Sequence, residues 1–310
     1  MTRITATLVK ELRDRTGSGV IDCRNALIET HGDLDAAIDR LRAAEIAKAA
    51  KKIDRVAAEG LVGLVVERTK GAVVELNTET DFVSRTQAFQ NAAAAFAVIA
   101  LGADGDHAAL LNAPAPDGDG TVSDVITRLS ARTGELMTLR RSAFVSVSRG
   151  LVASYVHNAA APGLGRIGVL VALESSGDAG ALIGIGHKIA MHVAASAPQW
   201  VSTEDIPAEV VAGKRAELTA QAHNTGKPAA IVEKMIEGRM RKFYEEVVLG
   251  LQPFVLNPDQ RVESVLKQAE EAAGATIAVK AFVRFRTGEG IEKREEFSDT
   301  LNTGRTRREA

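Results

Sequence analysis

The sequence carries an internal repeat. The segment GAVVELNTETD at 71–81 recurs as GVLVALESSGD at 168–178, with Gly, Val, Leu and Asp identical at a constant offset of 97. Continued without a gap, FQNAAAAFAVIA (89–100) falls on GHKIAMHVAASA (186–197) and shares three alanines with it. GLV at 60–62 recurs at 150–152. In each copy β-rich sequence leads into an alanine-rich helix, so the order of elements repeats as well as the letters. Two related α+β units with antiparallel sheets are therefore expected.

One stretch is not duplicated. In ELNTETDFVSR (75–85) a strand runs into a polar segment and then into Phe82 and Val83. Thr80, Asp81, Phe82 and Val83 fall on Gly177, Asp178, Ala179 and Gly180 of the second copy. A ring that the unit needed for its own core should have a large apolar counterpart there. It has none, so Phe82 is expected outside the core, with the preceding strand as its mount.

The flanking sequence divides the rest. Residues 1–54 read as three short helices: Leu8 and Leu12 share a face, Gly17–Ser18–Gly19 ends the first helix, Cys23, Ala26 and Leu27 share the next face, and Asp33 N-caps the third. Residues 45–60 are expected to continue helically as an arm with Lys48, Lys51, Lys52 and Arg55 on a basic face. Residues 55–144 form the first core unit, with a hairpin turn at Thr69–Lys70–Gly71 and a Gly/Asp/Pro-rich loop at 102–120 expected to be unstructured. The second unit spans 145–198 and 251–287, closed by the alternating strand TIAVKAFVRFR (276–286). Between its parts lies a helical hairpin, 199–250, with Ile231, Met235 and Met240 expected on one side, and the polar segment 288–310 ends the chain as a small helical module.

Several function classes are disfavoured. The chain has 38 basic and 40 acidic residues among 310, which argues against a broad nucleic-acid surface. Only 4% of residues are aromatic, too few to form stacking platforms with interleaved basic residues. The single cysteine, Cys23, excludes an internal disulfide framework, fits a reducing cytosol and reads as a small buried hydrophobe. The opening MTRITATLVKELRDR has no signal-peptide core, and no run reaches the ~20 apolar residues of a membrane span, so a cytoplasmic protein is expected. GLGRIG (Gly163, Gly165, Gly168) has the letters of a dinucleotide fingerprint, but a strand follows its glycines where the fingerprint requires a helix. His187 and His192 stand five apart, roughly 140° around a helix, and cannot share a metal on one face. With no HExxH, cysteine pair, Ser-His-Asp set or paired carboxylates readable, neither a metal, a cofactor nor an enzymatic site is expected.

Several segments together resemble the elongation factor Ts family, guanine-nucleotide exchange factors of elongation factor Tu. LVKELRDRTGSGVIDCRNAL (8–27) resembles the family's N-terminal signature, departing at Arg24 where lysine is usual, and ELNTETDFV (75–83) resembles its second signature. HKIAMHVAAS, GKPAAIVEKMIEGRMRKF, QPFVLNP and GEGIEKREEF extend the likeness to the whole chain, with departures in the 102–120 loop, at APGLG and in the basic C-terminus. The resemblance implies an N-terminal three-helix (UBA-like) bundle, two duplicated α+β subdomains, an inserted helical hairpin used for dimerisation, and a C-terminal helical module. It also implies that Thr80, Asp81, Phe82 and Val83 enter the nucleotide site of elongation factor Tu, where Asp81 and Phe82 disturb the Mg²⁺ and phosphate region so that GDP leaves. By the same resemblance Arg13, Val20 and Ile21 should touch the GTPase domain, and His157 a more distal domain of that partner. Homodimers or 2:2 complexes would form through 199–250. The rival readings are a nucleotide-cofactor enzyme built on 163–168 and an RNA-binding translation accessory using the basic arm at 48–55.

Overall fold

Three helices open the chain, each started and stopped by local signals. The computed structural model describes residues 3–50, 52, 54–223 and 228–292. Helix α1 (Ala6–Thr16) begins where the Thr5 hydroxyl accepts the Leu8 N–H at 3.2 Å. It ends at Gly17, whose φ of 69° lets its N–H reach the Arg13 carbonyl at 2.7 Å. Helix α2 (Val20–Glu29) follows, and Asp33 then accepts the Ala36 N–H at 3.0 Å to start α3 (Leu34–Ala50). Leu12, Cys23, Leu27, Ala37 and Leu41 meet in the module's own core. The helical arm expected over 45–60 is shorter than that: α3 stops at Ala50, and Glu59 already lies in strand β1 (Glu59–Glu67). The backbone there is taken up by sheet pairing, Gly60 lying opposite Asn77 of the next strand.

Strand β2 (Lys70–Thr78) returns antiparallel to β1 over its full length. The turn is Arg68–Thr69, with Arg68 at φ 43°, so Lys70 and Gly71 belong to the strand and not to the turn. The single turn α4 (Asp81–Ser84) and helix α5 (Gln87–Gly102) come next. The segment 102–120 is structured, contrary to its composition. Asp106 caps α6 (His107–Asn112), Pro114 bridges Thr121, and a Thr121–Asp124 capping box opens α7 (Val122–Thr133). Strand β3 (Met137–Ser146) then pairs with β2.

The second copy repeats this plan with β4 (Gly150–Ala161), β5 (Leu164–Glu174) and α8 (Ala179–Ser196). It is interrupted by the hairpin of α9 (Ala208–His223) and α10 (Ala229–Val247). Gln199 and Trp200 both donate to the Val247 carbonyl, at 2.8 and 3.1 Å, so the excursion leaves and rejoins at one place. The hairpin's buried stripe is Val232, Ile236 and Met240 against Leu218 and Ala222; Ile231 is exposed and Met235 half-buried, one helical step off the expected stripe. A small ribbon of β6 (Pro253–Phe254) and β7 (Asn257–Arg261) leads into α11 (Val262–Ala273). Strand β8 (Ala278–Arg286) then pairs with β5, as the alternation at 276–286 predicts. The C-terminal module expected at 288–310 lies, from residue 293 on, outside the described residues.

The fold is α+β, and its main sheet has six antiparallel strands in the order β3-β2-β1-β5-β4 with β8 also on β5, so that it divides into two three-stranded halves, β3-β2-β1 and β4-β5-β8. The halves are joined by strand pairing at Val62↔Gly165 and Gly63↔Leu164 and by backbone hydrogen bonds from Leu64 to Gly163 and from Val152 to Arg68, and their inner faces pack on each other. Alternate side chains of each strand serve different cores. Ala72, Val74 and Leu76 of β2 face Phe89 and Phe96 of α5, whereas Val73 faces the other sheet. Likewise Val169, Val171 and Leu173 of β5 face α8, whereas Leu170 and Ala172 face inward. The order of layers is helix, sheet, sheet, helix. Two glycines permit the close contact between sheets: a Cβ on Gly71 would lie 2.9 Å from Val152 Cγ1, and one on Gly168 would lie 2.6 Å from Val62 Cγ1. Among the described residues no helix is long and apolar enough to cross a membrane.

Candidate functional site

In the second copy the repeat's helix is continuous: Asp178 caps it by accepting the Ala181 N–H at 2.9 Å, and α8 runs unbroken to Ser196. In the first copy the corresponding helix is cut. Its first turn stands alone as α4, and α5 restarts after Thr86. The local cause is hydroxyl chemistry. Ser84 Oγ donates to the Asp81 carbonyl at 2.8 Å and Thr86 Oγ1 to the Val83 carbonyl at 2.7 Å, both competing with helical hydrogen bonding. Thr86 Oγ1 also accepts the Phe89 N–H and caps α5.

The detached turn has an inner and an outer side. Val83 is buried in the core under α5, whereas Phe82 is 76% exposed, the largest exposure among the exposed large hydrophobics of the described residues. Asp81 Oδ2 pairs with Arg85 Nη2 at 2.5 Å on the outside. One carboxylate, Glu135, between α7 and β3, holds the base of the turn. It accepts from Thr78 Oγ1 at 2.7 Å, from the Thr80 N–H at 3.0 Å and from Thr80 Oγ1 at 2.5 Å. Burial alone would raise the Glu135 carboxyl, but the hydroxyls of Thr80 and Thr78 and the backbone N–H groups of Thr80 and Glu79 bring it below its ordinary range. In return, Glu79 Oε1 accepts the Leu136 N–H at 2.5 Å and Arg55 Nη1 at 3.2 Å. Nothing in the residue spacing points to Glu135, which lies 55 positions from Thr80.

Phe82 borders a groove of about 660 Å³ whose other walls are Glu59, Leu61, Asn158, Ala159 and Arg166. Glu59 and Arg166 form an ion pair at 2.5 Å across it. Glu59, Asn158 and Arg166 also line an adjoining hollow of about 930 Å³ that contains His157, Tyr155 and Leu256. His157 is exposed, with Nδ1 3.2 Å from the Tyr155 hydroxyl. The Thr80–Val83 turn and His157 thus border neighbouring hollows that share three walls. Arg13, Val20 and Ile21 lie apart from these, on the N-terminal module. Val20 and Ile21 are exposed on the first turn of α2, and Arg13 and Val20 line hollows formed with that module and Arg132. The module is held to the first unit by contact of Arg42 with Asp119 and by Lys52 Nζ donating to the Ser130 carbonyl at 2.8 Å.

The other sequence candidates take structural places. Gly163 turns the β4–β5 hairpin at φ 72°, and Gly165 and Gly168 sit inside β5 against β4 and β1, so GLGRIG is a hairpin with no helix N-terminus to receive a phosphate. The basic arm is committed internally: Lys48 pairs with Asp22 at 3.1 Å, Lys52 bonds Ser130, and Arg55 reaches Glu79, while Lys51 lies outside the described residues. His192 is buried, its Nε2 2.8 Å from Gln252 Oε1 and its Nδ1 accepting the Val255 N–H at 3.1 Å. Burial holds its imidazole below the ordinary value, with the Gln252 hydrogen bond opposing. His187 Nδ1 lies 3.3 Å from the Ser154 carbonyl. Cys23 is buried in the helical module, which pushes its thiol up, and its Sγ lies 3.6 Å from the Ser18 carbonyl.

Comparison with known proteins accounts for nearly the whole chain. The family described as "Elongation factor TS" matches residues 79–289. A protein named elongation factor Ts from Caulobacter sp. (strain K31) is 53% identical over 301 residues, 96% of this chain and 96% of that protein. One of the same name from Rhizobium meliloti (strain 1021) is 52% identical over 292 residues, 94% and 95% of the two chains. Another from Parvibaculum lavamentivorans is 51% identical over 295 residues, covering 95% and 96%. With repeat, fold and these likenesses in agreement, the chain belongs to the elongation factor Ts family of translation elongation factors.

Proposed function

We propose that the chain is a guanine-nucleotide exchange factor of elongation factor Tu, without covalent chemistry of its own, that acts in the cytoplasm by inserting Asp81 and Phe82 beside the partner's bound GDP. The observation that carries this reading is the exposed Phe82 on a helical turn detached from α5 and fixed at its base. An aromatic ring left in water gains about 2–3 kcal/mol on entering an apolar site. Energy of that size is available to push neighbouring elements of a partner away from each other. Much of the hold on a nucleoside diphosphate comes from Mg²⁺ and from phosphate-loop amides, so a wedge there weakens GDP binding. The coupling is reciprocal: a factor that prefers the nucleotide-free partner must lower the partner's nucleotide affinity by the same factor. Thr80 and Val83 serve as base and inner anchor of the wedge.

The same reading assigns Arg13, Val20 and Ile21 to contact with the GTPase domain and His157 to a more distal domain. It keeps the division into modules at 1–54, 55–144, 145–198 with 251–287, 199–250 and 288–310. The exposed face of the α9–α10 hairpin, including Ile231, is then the surface for a homodimer or 2:2 complex, which light scattering with and without the partner measures.

The deciding experiment follows release of a fluorescent GDP analogue from purified elongation factor Tu. Substoichiometric protein is expected to accelerate release catalytically. Phe82→Ala is expected to lose at least tenfold of that acceleration with an unchanged melting temperature, tenfold being the loss of about 1.4 kcal/mol. Release unaffected by the wild-type protein refutes the exchange-factor reading.

A further inference from the structure

We infer that Glu135 is the positioning residue of the Asp81–Phe82 turn; the inference rests on the exchange-factor reading above. A wedge works only if it reaches its target already set, because a misplacement of about 1 Å in a reacting assembly costs on the order of a hundredfold in rate. A four-residue helix cannot hold itself: it is far below the length at which helices persist in water. Its N-cap residue gives no side-chain cap either, because the Thr80 hydroxyl is turned away from the helix. What fixes the turn is therefore Val83 and Ser84, buried below it, and Glu135 before it.

The geometry at Glu135 is specific. Its two oxygens take three donors, two from Thr80 and one from Thr78, so the carboxylate spans the junction between the last residue of β2 and the residue before α4. Glu135 is itself held. The Ser130 hydroxyl donates to its carbonyl at 2.6 Å, and the neighbouring Leu136 N–H is taken by Glu79 at 2.5 Å. Two carboxylates thus cross between the same two segments in opposite directions. Arg55 joins them, donating to Glu79 at 3.2 Å and to the Gly134 carbonyl at 3.3 Å. Arg55 lies in the connection between α3 of the N-terminal module and β1. Glu135 thus fixes the base of the wedge, while Glu79 and Arg55 tie the same crossing to the connection from the module that carries Arg13, Val20 and Ile21.

The test compares wild type with Glu135→Ala, Glu135→Gln and Thr78→Val. Glu135→Ala is expected to lower the maximal rate of GDP release by roughly tenfold to a hundredfold, while the half-saturating concentration for the partner moves less than about threefold. Glu135→Gln keeps one carbonyl acceptor and is expected to fall between the two. Thr78→Val removes one donor, leaves the carboxylate in place, and provides a milder variant should the alanine protein fold poorly. Amide hydrogen exchange on the free protein supplies a readout independent of the partner: residues 80–84 are expected to exchange faster in Glu135→Ala while protection of β1 and β2 is retained. Equal maximal rates in wild type and Glu135→Ala, or unchanged exchange at 80–84, overturn the role of Glu135 and leave the exchange-factor reading standing. A wild-type protein that fails to accelerate release overturns both.

Discussion

Phe82 and Val83 are chain neighbours with opposite environments, one 76% and the other 8% exposed. Their truncations should therefore separate stability from action. Val83→Ala removes apolar volume from under α5 and is expected to cost about 1–3 kcal/mol in urea unfolding. Phe82→Ala removes a ring from solvent and should change unfolding by no more than about 0.5 kcal/mol. Comparable losses for both would mean that Phe82 packs within the chain. The inference from the repeat, that a ring without a counterpart in the second copy stays outside the core, agrees with this exposure. Glu135 is not legible in the same way, because a hydrogen-bond partner 55 residues distant leaves no trace in periodicity or spacing.

At the scale of elements, β-hairpins, alanine-rich helices and the closing strand at 276–286 can be read from alternation and repetition. The separate single turn α4 cannot, because its match in the second copy is the first turn of one unbroken helix, α8. The hydroxyls of Ser84 and Thr86 decide it, and those residues are equally at home on a helix surface. A similar ambiguity holds at 102–120. Gly, Asp and Pro suggest an open loop, yet Asp106 and Thr121 are the caps of α6 and α7. The β6–β7 ribbon offers a pH test. His192 accepts the Val255 N–H through Nδ1, so protonation removes the bond that holds the ribbon's turn on α8. Its imidazole is held below 6.5 by burial, so the folded state binds fewer protons than the unfolded chain. This contribution to stability is complete above about pH 6.5 and declines as pH falls from there toward the folded value. Urea unfolding between pH 7.5 and 5.5 should show that decline, and an NMR titration should place His192 below 6.5. A value above 6.5 contradicts the assignment.

At the scale of the whole molecule, the face-to-face packing of the sheets is not foreseeable from the alternation, which marks both faces of β2 and β5 as apolar without saying what covers each. Filling its two tight points should be costly. Gly71→Ala and Gly168→Ala each force a Cβ into a facing valine and are expected to destabilise by about 1–3 kcal/mol in thermal or urea unfolding. Neutral effects at both would contradict the close approach. These two glycines occupy one position of the repeat, and Val62 and Val152 occupy another. Gly71 meets Val152, and Gly168 meets Val62. Position i of each copy touches position j of the other, which is the contact rule of a two-fold axis. The chain is in effect a tethered dimer of its own repeat, and such an object has two equivalent ends. One end bears Phe82, and the other bears the methyl group of Ala179. Under the proposed function, a partner that takes up the ring can engage this pseudo-symmetric body in one orientation only.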